Sequence, residues 1–154
     1  MTDIEIQYKI IQPDLSLSNF VERYWMLANH SDKEKEIVII PDGRIDVFFS
    51  YSANESFHIT LMGLESEPTQ TILPAQTLIF AVNLKLLAVE YLLGISLSGL
   101  LNQAQHLPID FWGIKKTDLD DFDRFCDKVS EKIKTLLPKE TDDRKQQLFD
   151  LPHQ

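Results

Sequence analysis

Cysteine is almost missing from this chain. Cys126 stands alone among 154 residues, so no internal disulfide can form, and the sequence agrees with a reducing cytoplasm. Glycine is scarce as well: five, widely spread, leave no room for a phosphate-cradling loop, and no G-x-S-x-G nucleophile elbow occurs. Long apolar runs are absent. The longest, around residues 84–95, is broken by Lys85, Glu90 and Gly94 and is too short to span a bilayer, so no membrane contact is expected. The N-terminus MTDIEIQYKI has neither a basic region nor an apolar core and does not read as a signal peptide. Positive charge is also in short supply. The formal net charge is −9, Lys33 and Lys35 alternate with Glu34 and Glu36, and Lys115 and Lys116 run straight into an acidic stretch. Without a basic patch, this chain by itself is not expected to hold a phosphate backbone. The four histidines, His30, His58, His106 and His153, form no H-x-H or i, i+4 pair, which argues against a metal centre.

What is present is apolar and mostly of short period. Residues 36–50, EIVIIPDGRIDVFFS, hold two β-branched or aromatic runs around Pro41-Asp42-Gly43-Arg44. Pro41 presets φ for a turn and Gly43 takes positive φ freely, so the segment predicts a β-hairpin with a short bulged loop. The first run is apolar throughout and predicts a strand covered on both faces. In the second, Ile45, Val47 and Phe49 share one face, and Arg44, Asp46, Phe48 and Ser50 the other. Alternation of Ile4, Ile6 and Tyr8 with polar neighbours predicts an N-terminal strand with one face in the core. A short helix capped by Ser16 or Ser18 is expected next, burying Leu17, Phe20, Val21 and Tyr24. Strands follow at residues 24–27, 57–62, 71–73 and 77–84, the last two split by Pro74-Ala75-Gln76. This strand-and-turn spacing is that of a sandwich or barrel.

Later the period lengthens. Residues 86–93 predict a short helix ended by Gly94, and residues 97–107 a turn of helix and a short strand. Thr117 reads as the N-cap of a helix over 118–137, with acidic residues in its first turn, lysines toward its end and Pro138 to stop it. Its apolar residues Leu119, Phe122, Cys126, Val129, Ile133 and Leu136 are spaced 3, 4, 3, 4, 3. That spacing suits either packing on the helix's own domain or a dimer seam against a second copy. Thr141-Asp142-Asp143 reads as the cap of a further helix. The expected layout is a sensor-like β domain over 1–116, the amphipathic helix over 117–137 and a linker over 138–154.

Four stretches in order, LSNFVERYW (17–25), IPDGRIDVFF (40–49), Met62-Gly63 with its polar turn, and SGLLNQAQHLPIDFWG (98–113), resemble the N-terminal sensor region of AraC-type bacterial transcriptional regulators. The likeness runs from about residue 8 to 150, and its most specific part is the PDG-x-x-D segment. In relatives a G-V-R-F-x-P-G segment follows the last long strand; here Ala81-Val82-Asn83-Leu84-Lys85 stands in its place. The family's paired helix-turn-helix domain is not in this sequence. The resemblance implies a mainly β fold with C-terminal helices (α+β), a cupin-like β-barrel or sandwich with a helical layer. It implies an effector-sensing and dimerising role: a small-molecule effector, a homodimer, and DNA reached only through the C-terminal domain. No enzymatic activity, cofactor or metal is expected. The candidate ligand pocket is Trp25, Arg44, Asp46, Phe48 and Phe80; Arg44 is expected to pair with Asp42 or Asp46. The competing readings are a ligand-free dimerisation or protein-interaction module and a small metal-dependent cupin enzyme. Cys126, on the helix seam, reads as a buried hydrophobe rather than a nucleophile.

Overall fold

In a computed structural model, the structure describes residues 5–93 and 102–137. It is mainly antiparallel β, with a helix at the C-terminal end of the described chain. The strands are β1 (Ile6–Ile11), β2 (Val21–Asn29), β3 (Lys35–Ile39), β4 (Ile45–Tyr51), β5 (His58–Met62), β6 (Thr69–Leu73), β7 (Thr77–Leu84) and β8 (Ala104–Leu107). Six form one sheet in the order β1-β2-β7-β4-β5-β8, and β3 pairs only with β6 in a second, two-stranded sheet.

That topology corrects the expected hairpin. The two runs flanking Pro41-Asp42-Gly43-Arg44 do not pair with each other. β3 leaves the small sheet at Ile39, and β4 enters the large one at Ile45, between β5 and β7. The turn chemistry was read correctly but serves a corner between sheets, with Gly43 at φ 72°. Turn-forming residues fix a change of direction; they do not fix which strand lies alongside. The expectation that residues 37–40 are covered on both faces also fails. Ile37 and Ile39 turn inward, whereas Val38 is 59% and Ile40 73% exposed, because the small sheet has only one sheet to pack against.

The core lies on one face of the large sheet. Cross-strand rows Tyr24–Val82–Val47–Leu61 and Met26–Phe80–Phe49–Ile59 are all buried. Helix α2 (Phe122–Leu136) lays Phe122, Phe125, Cys126, Val129 and Ile133 onto this face. Phe125 packs its ring edge-on against Phe49 and Phe80, with centroids 5.4 and 5.1 Å away. The hydroxyls of Tyr24 and Ser130, 2.7 Å apart, tie β2 to α2. The seam is thus occupied within the chain. Leu119, Phe122, Cys126, Val129 and Ile133 are buried within their own chain, which agrees with packing on the helix's own domain and not with the alternative dimer seam; Leu136 is 37% exposed. The sheet offers the helix a broad apolar face with far more area than a narrow seam against one partner helix, and burial follows area.

The helix begins later than expected. Residues 116–120 form a 3₁₀ turn, and Asp121, not Thr117, is the N-cap, its carboxylate accepting from the Arg124 amide at 3.1 Å. It ends at Leu137, which is extended (φ −76°, ψ 143°), as a residue before proline must be. Near the other terminus, the expected helix after Asp14 is a single 3₁₀ turn (Leu15–Leu17); Leu17, Phe20, Val21 and Tyr24 are nonetheless all buried. β1 is present, but its apolar residues are not in the core: Ile6, Tyr8 and Ile10, 39, 55 and 45% exposed, pair with Asn29, Leu27 and Trp25 and so share the sheet face opposite α2. Residues 86–93 are helical as expected, α1 (Leu86–Ala88) passing into a π turn. Gly94, residues 97–101 and the linker over 138–154, with its Thr141 cap, lie outside the described residues. Among the described residues no helix is long and apolar enough to cross a membrane.

Candidate functional site

The opposite face of the large sheet is not filled by a helix. The small sheet stands over it, and between them is a cavity of about 660 Å³. Strand alternation decides what faces it. The residues of β2, β7 and β4 that are out of phase with the core form the rows Arg23–Asn83–Asp46, Trp25–Ala81–Phe48 and Leu27–Ile79–Ser50. From the small sheet come Ile37, Ile39, Thr71 and Leu73. Tyr8 closes one side, its ring 6.2 Å from that of Trp25. Trp25 in turn meets Phe48 edge-to-face at 5.4 Å. A concave space with apolar walls and a few polar groups at one end is the usual form of a small-molecule site.

The polar end centres on Asp46. Its Oδ1 accepts from the indole Nε1 of Trp25 at 3.1 Å and from Asn83 Nδ2 at 2.8 Å. Asn83 Nδ2 also donates to Asp42 Oδ2 at 3.2 Å, so one amide nitrogen bridges two carboxylates. Burial pushes the Asp46 carboxyl up to about 6. The donors Asn83 and Trp25 pull it back, while Asp42 reinforces the rise and Arg23 opposes it. Asp42 is held in place by its own corner, its Oδ1 accepting from the Arg44 amide at 2.9 Å.

Of the five residues expected in the pocket, Trp25, Asp46 and Phe48 line the cavity together. Phe80 does not. It is in phase with Leu78 and Val82, so it faces the core and packs on Phe122 and Phe125, both at 5.1 Å. Arg44 also lies off the cavity lining. Its guanidinium lies 3.4 Å from Glu22, which Arg23 and Lys85 also approach at 3.6 Å, and not at Asp42 or Asp46. Asn83, Asp42 and Arg23 were missed as site residues. Asn83 carried a readable signal: a strand-averse amide inside TLIFAVNL, a run otherwise fit for burial on both faces. Asp42 reads locally as a turn former and an ion-pair partner for Arg44, and nothing local says that its second oxygen meets another strand.

Burial and the neighbouring Asp123 and Asp127 push the Cys126 thiol up to about 12, far from a thiolate at neutral pH. Among the described residues no group of three or more His, Cys, Asp or Glu side chains is placed to hold a metal ion. No curated protein matches the chain, and neither does any solved structure. The profile of one domain family matches residues 9–106, a span that takes in β2 to β7 and stops short of α2. That match covers more than half of the sequence, and the chain belongs to the family, described as a domain of unknown function (DUF6597).

Proposed function

We propose that the chain is the effector-sensing domain of an AraC-type transcriptional regulator, acting in the cytoplasm as a homodimer and governing DNA binding by a C-terminal helix-turn-helix domain that lies outside this sequence. The observation that carries the reading is the cavity of about 660 Å³ between the two sheets, walled by Trp25 and Phe48 and ended by Asp46. The PDG-x-x-D segment, the most specific part of the resemblance, supplies Asp42 and Asp46 to that end. A cupin-like description fits a two-sheet β shell backed by a helix.

β2, β4 and β7 carry cavity side chains on one face and the packing partners of α2 on the other. A ligand that draws the small sheet onto the large one therefore acts one layer away from α2 and the chain that follows it. It shifts the regulator only so far as it binds one arrangement better than the other. The second copy pairs through a surface other than the inner face of α2, which its own sheet occupies.

The test is a thermal-shift screen of this domain against metabolite classes, followed by a reporter assay of the full regulator with its effector. A cavity variant such as Phe48→Ala that loses the ligand yet keeps effector-dependent transcription sinks the scheme. A ligand-free interaction module is the second reading. It draws on the exposed outer face of the small sheet, where Val38 is 59%, Ile40 73% and Ile72 55% exposed. A dimer by light scattering that responds to no metabolite class selects that module. A stoichiometric transition metal in the purified protein selects the cupin enzyme instead.

A further inference from the structure

The polar end of the cavity is rich in acceptors and poor in donors. Asp46 Oδ1 takes both the Trp25 and the Asn83 donors, and among the described residues no hydrogen bond reaches its Oδ2. The amide of Asn83 is oriented by the two carboxylates, since turning it over would set its oxygen against both. Held that way, its Oδ1 is buried without a partner, in a residue only 1% exposed. A buried acceptor left in this state is costly unless something supplies a donor.

Charge points the same way. Asp42, Asp46 and Glu55 line the cavity against one guanidinium, Arg23, which is itself drawn to Glu22 at 3.6 Å. His58 also lines the cavity, 3.9 Å from Glu55, and the two lie at the far end of β4–β5 from Asp46. An anionic ligand at the Asp46 end would meet two carboxylates and one cation already engaged by Glu22. Next to the carboxylate pair stand the rings of Trp25 and Phe48, and aromatic faces attract cations that have left water.

We infer that the cavity takes a small organic cation, a protonated amine set at Asp42 and Asp46 with its apolar body against Trp25 and Phe48. The ammonium supplies N–H donors to Asp46 Oδ2 and opposes the charge of both carboxylates, which the uncharged Asn83 amide bridges but does not neutralise. This ligand class rests on the sensing reading of the cavity and adds to it the sign of the charge recognised.

Three matched probes test it on the domain: phenethylamine, phenethyl alcohol and phenylacetate, followed by calorimetry and tryptophan fluorescence. Trp25 lies on the cavity wall and Trp112 in the core, so Trp25→Phe should remove the ligand-dependent signal and leave the rest. The amine should bind about tenfold or more tightly than the alcohol, and the carboxylate should be the weakest of the three. Asp46→Asn should lower the amine to about the alcohol's affinity, and a cooperative denaturation transition reports that the variant is folded. Asp42→Asn should weaken the amine in the same direction. Tighter binding of the alcohol or the carboxylate, or an amine indifferent to both substitutions, overturns the cation assignment and leaves the sensing reading standing. If none of the three binds, and no metabolite class shifts the melting temperature, both fall.

Discussion

The two faces of the six-stranded sheet are built from the same strands and differ in almost everything else. Toward α2, alternate residues are Tyr24, Met26, Val47, Phe49, Phe80 and Val82, all buried and closed over by aromatic rings. Toward the small sheet, the intervening residues are Arg23, Trp25, Asp46, Phe48 and Asn83, and a cavity remains among them. One face is packed to stabilise the fold and the other is left unfilled, so side chains on the second can be chosen for chemistry. The contrast teaches that in this fold the division between core and site runs along residue parity within single strands, not between segments of the chain.

Substitutions on the two faces should therefore differ in kind. The largest effect is expected at Phe125, which is fully buried beneath Phe49 and Phe80. Phe125→Ala should cost about 3–5 kcal/mol in chemical denaturation, as the loss of a core ring does. Phe48→Ala, whose ring already borders open space, should cost about 1 kcal/mol. Equal losses at the two sites would break the comparison.

Asp46 sharpens it next. Its folded pKa of about 6 lies above the ordinary 3.8, so in rising pH the unfolded chain gives up this proton first. Between those two values the folded state binds more protons than the unfolded one, and stability falls as pH rises; above the folded pKa the loss is complete. Asp46→Asn, which never ionises, should thus be more stable than the parent by on the order of 2 kcal/mol near neutral pH, the gain fading below about pH 4. A destabilised variant at neutral pH would mean that the carboxylate is needed for the fold and that this face is not set aside for a ligand.

Smaller effects bear on the helix side. Asp121→Ala removes the cap of α2 and should cost about 1 kcal/mol, whereas Thr117→Ala, at the position expected to cap the helix, should cost less than half of that. Cys126, buried and with its thiol pushed up to about 12, should resist alkylation in the native protein and react only as the chain opens, so its labelling rate tracks denaturant concentration. Rapid labelling without denaturant would show that α2 lifts from the sheet.

The sequence disclosed most of the strands and the parity of β4, because both rest on a period of two that any single run displays. Trp25 and Phe48, legible as pocket aromatics, and Asp46, legible as a carboxylate on a strand of a β shell, do line one cavity. The sequence could not disclose the partner of β3, since strand pairing is a long-range choice and the turn at residues 41–44 suits a corner as well as a hairpin. Phe80 was misplaced for the same reason. Its parity relative to Phe48 depends on the register Phe48↔Ala81, which no local pattern contains. The helix seam was correctly apolar, but spacing alone does not say whether a sheet or a sister helix will cover it.

Phe48 and Phe49 are adjacent in sequence and stand on opposite sides of the sheet, one in the cavity wall and one under Phe125. Deleting or inserting a single residue in β4 would swap their places and carry Asp46 into the hydrocarbon interior. Homologous chains are accordingly free to change the identity of residues 46, 48 and 50, and with them what is recognised, but hardly free to change the number of residues between Ile45 and Tyr51. Divergence in specificity should be written in β4 as point replacement at constant length.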